Sequence, residues 1–314
     1  MPLKSFLELV EIRTKAASII PFFLGATYSV YRYNSFNLKN FFLMLISLLS
    51  IDMATTAINN YIDYKKANVT CGYNYEKHNA IVSYGIKEST VRLTIVLLIL
   101  IAIVFGLLLY LNTDVVVLII GVISFMVGIF YTFGPLPISR MPLGEIFSGF
   151  FMGFVIVFLS VYIHVFDQGI VEITLNRDVL SVSVNILEVI KIFMISVPAV
   201  NGIANIMLAN NICDIEDDIK NKRYTLPVYI GKSSAIKLFK FLYGVIYLFI
   251  IVSIGLKIIP VFSAAAIMTV LPVYKNVKKF SEKQTKKDTF VLSVKNFVLI
   301  NAVYILTIMA GLQK

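Results

Sequence analysis

Apolar runs of about 20 residues recur along the whole chain, each long enough to cross the ~30 Å hydrocarbon core of a bilayer. Over 314 residues, 58% are hydrophobic and only 15% are charged, against the roughly 25% usual in soluble domains. Mean hydropathy is +0.85. No stretch is left for a separate soluble domain, so residues 1–314 read as one all-α, polytopic membrane domain. Nine transmembrane helices are predicted, at 16–33, 40–62, 91–111, 115–133, 143–166, 189–211, 236–256, 258–274 and 290–312. The seventh and eighth are divided only by Gly255, Lys257 and Pro260. The first run has no small-residue cleavage site behind it and reads as a permanent span.

The net charge of +10 is explained by topology and gives no reason to invoke nucleic acid. With the N-terminus inside, 22 of the 28 Lys and Arg residues fall in cytoplasmic segments and six outside. Excess basic residues mark the cytoplasmic side, so the reading is N-inside, C-outside, in the cell membrane. Cys71 and Cys213 then sit in cytosolic loops as free thiols. The outer loop at 167–188 is expected to be irregular.

A short phrase occurs twice: Asn59-Asn60-Tyr61-Ile62-Asp63 and Asn210-Asn211-Ile212-Cys213-Asp214 share N-N-x-x-D. Each copy closes an apolar run and opens a polar loop. Four spans separate them, so the repeat is parallel and both copies face the cytosol. Internal repeats of this kind place binding sites at their interface. In span two, Asp52, Thr55, Thr56, Asn59 and Asp63 recur every three or four residues and share one helical face. That stripe lines a cavity or serves as interhelical packing glue; an acid at Asp52 needs a partner or a proton.

In the second copy Asp214 and Asp218 stand one helical turn apart and can converge on one divalent cation. Lys222 continues that face toward a phosphate oxygen, unless the segment is simply a solvated charged loop. A third cluster, Tyr131 to Glu145, joins spans four and five and carries three prolines, which stiffen it. Its Arg140 can pair with Glu145 or with a diphosphate, or act only as a topogenic charge. Arg13 and Lys15, ahead of span one, read first as topogenic charges. His78 and His164 make no metal-ligand spacing, and Gly231-Lys232-Ser233 lacks the upstream glycine of a P-loop. The 41 Phe and Tyr residues are mainly packing groups.

Three phrases carry a resemblance over nearly the whole chain: F-L-E-L-V-E-I-R-T-K-A-A-S-I-I-P-F-F-L-G from Phe6, Y-T-F-G-P-L-P-I with P-L-G-E-I from Tyr131, and N-N-I-C-D-I-E-D-D-I-K-N-K-R-Y-T-L-P-V from Asn210. The chain resembles the UbiA superfamily of intramembrane aromatic prenyltransferases. Within it, the chain looks most like the 1,4-dihydroxy-2-naphthoate polyprenyltransferases of menaquinone synthesis. The resemblance implies nine membrane helices, a UbiA-like bundle and magnesium dependence. It implies that Asp63, Asp214 and Asp218 are catalytic and hold Mg2+. It implies that Asn59, Asn60, Asn210, Asn211, Lys222, Arg140, Tyr131 and Arg13 bind the diphosphate of a polyprenyl donor. The partners implied are that diphosphate, an aromatic quinone precursor and the lipid bilayer.

The first motif departs from the family's N-D-x-x-D. Asn60 replaces an Asp, Ala67-Asn68-Val69 supply no later acid, and Glu76 to Ala80 contain no arginine. Two other classes share the architecture. A secondary transporter fits the repeat and Asp52, but would favour acids at the midplane. A catalytically weakened quinone-precursor-binding relative fits the eroded motif.

Overall fold

The computed structural model describes residues 1–66, 79–132 and 137–312. Cys71, His78, the segment after Lys66 that departs from the family motif, and residues 133–136 lie outside them. Among the described residues the long helices are α2 (Ala16–Tyr33), α3 (Leu38–Lys66), α5 (Glu88–Leu111), α6 (Val115–Thr132), α7 (Gly144–Val165), α8 (Ile186–Cys213), α11 (Lys232–Gly255), α12 (Val270–Glu282) and α13 (Phe290–Ala310). Shorter helices are α1 (Leu3–Leu9), α4 (Ala80–Ser83), α9 (Ile215–Lys220) and α10 (Leu226–Ile230). Six of these helices are long and apolar enough to cross a membrane: α3, α5, α7, α8, α11 and α13. Two of the remaining predicted runs form helices of 18 residues each, Ala16–Tyr33 and Val115–Thr132.

Two sequence expectations change. The predicted eighth span, 258–274, is helical but not one α-helix: a 3-10 stretch over Val261–Thr269 passes directly into α12. The loop at 167–188 is not irregular: Val171–Asn176 and Val179–Val184 form an antiparallel hairpin with Val171 opposite Val184. Its alternating β-branched residues and two-residue connection favour that pairing.

Burial separates the central helices from the peripheral ones. In α8, 67% of the apolar window is buried, and in α7 56%, against 17% in α5. Small residues allow the two central helices to meet closely. A Cβ on Gly153 would lie 2.4 Å from Val200 Cα, and one on Gly149 2.9 Å from Val200 O. Over Gly149–Val155 the chain widens into a π-helical segment, a feature frequent at functional sites. Helix α2 docks on α7 in the same way: a Cβ on Gly25 would lie 2.5 Å from Val157 O, and Ser160 Oγ donates to Phe22 O at 2.6 Å.

At the hairpin end the polar contacts are structural. His164 Nδ1 accepts the Asn37 N–H at 2.9 Å while its ring stacks on Phe36, which accounts for this histidine without a metal. Arg32, Lys191 and Tyr33 all donate to the Glu188 carboxylate, at 3.0, 2.6 and 2.7 Å, tying α2 to α8.

Candidate active site

A cavity of about 410 Å³ opens between α3, α5, α6, α7 and α8. Its wall on α3 runs from Met44 to Asn59, about 22 Å along the axis at 1.5 Å per residue. Most of the lining is apolar, with Met44, Leu48, Ile51, Val117, Met152 and Leu159 among the walls. Polar groups concentrate toward one end, where Asp52, Thr55, Thr56 and Asn59 all face the space. The stripe on span two is therefore a cavity wall. Across from it stand Phe147, Ser148 and Met207, and Met207 lies one turn before Asn210 and Asn211. The helices that carry the two N-N-x-x-D phrases thus border one space.

Asp52 is not isolated. Lys15, whose side chain is 1% exposed, places Nζ 2.7 Å from Asp52 Oδ1. The same ammonium donates to Asp52 O at 3.0 Å and to Thr56 Oγ1 at 2.6 Å. Ser18 Oγ lies 2.6 Å from Asp52 Oδ2. This corrects the topogenic reading of Lys15: a short 3-10 turn, Ile12–Lys15, folds it under α3 and buries its charge against a carboxylate. Arg13, two residues earlier, stays exposed. The signal in the sequence was Asp52 itself, a mid-span acid in need of a cation.

The first motif divides by helical position. Asn59 lines the cavity. Asn60 is buried and turned the other way: its Nδ2 donates to Leu9 O at 2.9 Å, and its carbonyl accepts Asn79 Nδ2 at 2.8 Å. Its side chain ties α1 to α3, its backbone carbonyl holds the start of α4, and it is not among the residues that line the cavity. Asp63 is exposed, one turn beyond Asn59 at the end of α3.

In the second motif α8 stops at Cys213, a free thiol, and Asp214 joins it to α9. The turn still holds the two acids together, because the Asp218 N–H donates to Asp214 O at 2.7 Å. Asp218 is buried and accepts Thr225 Oγ1 at 3.0 Å. Burial pushes its carboxyl above the usual carboxylate range, and the Asp214 charge pushes the same way, against the Thr225 hydrogen bond and the charges of Arg223 and Lys286. Asp214 Oδ2 pairs with Lys286 Nζ at 2.5 Å, a residue from the loop between α12 and α13 that sequence reasoning did not single out. Asn211 donates to Glu145 Oε1 at 2.9 Å and Asn210 Nδ2 lies 3.4 Å from Asn211 Oδ1. The alternative pairing of Glu145 with Arg140 is therefore not formed. Arg140 is exposed, and its carbonyl accepts the Tyr224 N–H at 3.1 Å, which joins the third cluster to the second.

Lys222 leaves the helical face it was expected to extend. Helix α9 ends at Lys220; Arg223 N–H returns to Asp218 O at 2.8 Å and Lys222 N–H to Ile219 O at 3.2 Å. These are the two bonds of a Schellman cap, and Lys222 occupies its left-handed position with φ 53°. Glycine is the usual residue there, so a lysine is held against backbone preference.

Tyr131, Phe125, Phe147 and Phe151 line the cavity, and the Tyr131 hydroxyl donates to Gly144 O at 3.3 Å. Their ring faces suit a cation. Tyr131 is already singled out in the sequence, but the three phenylalanines cannot be selected there from so many aromatics.

Among the described residues no group of three His, Cys, Asp or Glu side chains is assembled that could hold a metal. Asp214 and Asp218 supply two carboxylates one turn apart, the ligand type magnesium takes when it keeps water and substrate phosphate as further ligands. Two like charges one turn apart, one of them buried, are relieved by a cation. The residues fit the metal.

The sequence profile of the UbiA prenyltransferase family matches residues 18–300. The chain belongs to this family. A relative within the UbiA family, the 1,4-dihydroxy-2-naphthoate octaprenyltransferase of Bacillus subtilis (strain 168), is 31% identical over 244 residues, which cover 78% of this chain and 71% of that protein. The UbiA homolog from Aeropyrum pernix K1, solved without ligand, superposes with a TM-score of 0.70 over 94% of this chain and 98% of its own, at 17% identity. A UbiA homolog from Archaeoglobus fulgidus bound to GPP and Mg2+ gives 0.59 over 99% and 100%, at 13% identity. At such identities the likeness to solved structures concerns the fold. The UbiA fold and the apolar helices make this an integral membrane protein.

Proposed function

We propose that this protein transfers a polyprenyl group from its diphosphate to an aromatic acceptor, 1,4-dihydroxy-2-naphthoate, giving demethylmenaquinone in its hydroquinone form. The observation that carries the reading is one apolar cavity bordered by both N-N-x-x-D helices, with Asp52, Thr55, Thr56 and Asn59 at its polar end. A relative named for the same acceptor, and homologues solved with prenyl diphosphates and Mg2+, support it. In this reading the chain has nine membrane helices and a parallel repeat, with the N-terminus and both motifs on the cytoplasmic side of the cell membrane. The 22-to-6 distribution of basic residues supports that orientation.

Asp214 and Asp218 would hold the magnesium, with Asp63 of the opposite helix and the amides of Asn59 and Asn210 adding oxygens. When bound, the metal neutralises charge on the departing diphosphate. Lys222, Arg140 and Arg13 would bind phosphate oxygens from the loops. Lys286 exchanges Asp214 for phosphate when the donor arrives. Phe125, Tyr131, Phe147 and Phe151 present ring faces to the allylic cation, and the apolar walls exclude water from it. A ring carbon of the acceptor attacks, and for a naphthoate carboxyl carbon dioxide leaves. Asn60 and Asn211 act in this scheme by fixing α1, α4 and Glu145 around the site, without contacting the diphosphate.

The reading is tested by reconstituting the protein in vesicles with a polyprenyl diphosphate, the dihydroxynaphthoate and Mg2+. Prenylated naphthoquinol that disappears on chelation is the expected product. Uptake of naphthoate into sealed vesicles without product would instead favour a transporter. Binding of the diphosphate without turnover would favour a weakened relative.

Lys222 supplies a second test with opposing signs. Lys222→Gly relieves a left-handed residue, so thermal stability rises by up to about 1–2 kcal/mol. The same change removes a cation, and the KM for the diphosphate rises several-fold. Unchanged KM would remove Lys222 from the phosphate site.

A further inference from the structure

The polar end of the cavity has an imbalance of donors and acceptors that nothing in the motif chemistry uses. All three N–H groups of Lys15 are committed, to Asp52 O, Asp52 Oδ1 and Thr56 Oγ1. The hydroxyls of Thr55 and Thr56 each donate to Asp52 O at 3.0 Å. The Ser18 hydroxyl proton lies between Lys15 O and Asp52 Oδ2. Every donor of the cluster is thus spent inside it. A carboxylate has about four acceptor positions, and Lys15 and Ser18 fill two. Asp52 is 15% exposed, and the surface it retains faces the cavity.

Resting on the prenyl-transfer reading, we infer that Asp52 is the seat for a ring hydroxyl of the aromatic acceptor. The ligand class that fits is an electron-rich aromatic ring carrying an O–H donor on its inward edge. Lys15 lies behind Asp52, outside the cavity lining, and pairs with the carboxylate without offering a donor to the ligand. An acidic substituent on the same ring is repelled by Asp52 and turns toward the end of the cavity that holds Asn59. Asp52 stands seven residues below Asn59, about 10 Å along the helix. That separation leaves room for a ring between the seat and the diphosphate end. Asp52 is a positioning residue and exchanges no proton in this proposal.

The test compares a dihydroxynaphthoate with its two mono-methyl ethers, using purified full-length protein. Equilibrium binding is measured by naphthoate fluorescence without diphosphate, and transfer is measured separately. Wild type should bind one of the ethers about tenfold to a hundredfold more weakly than the free hydroxyl, the scale of a hydrogen bond to a charged group. Asp52→Asn should shrink that ratio to within a few-fold of unity while Mg2+-dependent binding of polyprenyl diphosphate stays within about twofold. Should Asp52→Asn fail to fold, the neutral pair Lys15→Met/Asp52→Leu takes its place with the same expectation. Equal binding of both ethers and the hydroxyl by wild type overturns the inference. So does a variant that keeps the wild-type ratio. Discrimination in binding without any transfer by wild type would sink the prenyl-transfer reading and leave the hydroxyl seat standing.

Discussion

If the proposed reaction holds, Asp218→Asn is expected to abolish magnesium-dependent transfer, with kcat/KM falling about 10²–10³-fold or more, the scale of losing a preorganised charge-stabilising group. The substitution keeps the shape of the side chain and removes its charge. Stability moves the other way. Burial and the Asp214 charge hold the Asp218 carboxyl above its ordinary range, so the ionised form is disfavoured where it sits. A neutral amide therefore leaves the thermal midpoint unchanged or raises it in metal-free buffer. Activity assays and thermal unfolding on the same preparation check both signs. A variant that retains a tenth of wild-type activity would refute the metal role. One that loses activity by unfolding would refute the account of burial. Asp214→Asn should also lose transfer, and it frees Lys286, which no longer has its 2.5 Å partner.

Lys15→Met has the largest expected effect on stability. It leaves Asp52 in a cavity wall with Ser18 as its remaining side-chain donor, and breaking a buried pair from one side costs about 3–5 kcal/mol. The double variant Lys15→Met/Asp52→Leu should recover most of that loss, because well-packed apolar groups replace a buried pair at little or no cost. Thermal unfolding of the single and double variants in one detergent checks this. A harmless single substitution would mean that Lys15 reaches solvent, against its 1% exposure. A double variant as unstable as the single would show that the pair contributes net stability of its own.

The alternatives weighed from the sequence divide on where the acids lie. Asp63, Asp214 and Asp218 gather at helix ends, and Asp52 is matched by Lys15. A transporter moving a charged solute would need a midplane site free to exchange its partner, and Lys15 has no donor left to give.

Much of this protein is local in origin and therefore legible in one dimension. Spans of apolar residues set the helices, since a backbone in lipid must satisfy its own hydrogen bonds. The spacing of Asp52, Thr55, Thr56 and Asn59 set a polar face, because 3.6 residues per turn leave those positions no alternative. The doubled N-N-x-x-D marked the ends of two helices that border one cavity. What the tertiary structure decided concerns pairs distant in sequence. Lys15 and Asp52 lie 37 residues apart, Asn211 and Glu145 66, and nothing in either local segment names its partner. Adjacent asparagines also point about 100° apart on a helix, so Asn59 meets the cavity while Asn60 holds the N-terminal helix. Lys222 left its expected face because a backbone cap, invisible in composition, ended the helix two residues before it. Period and hydropathy are properties of a segment; which charge meets which is a property of how the segments are packed.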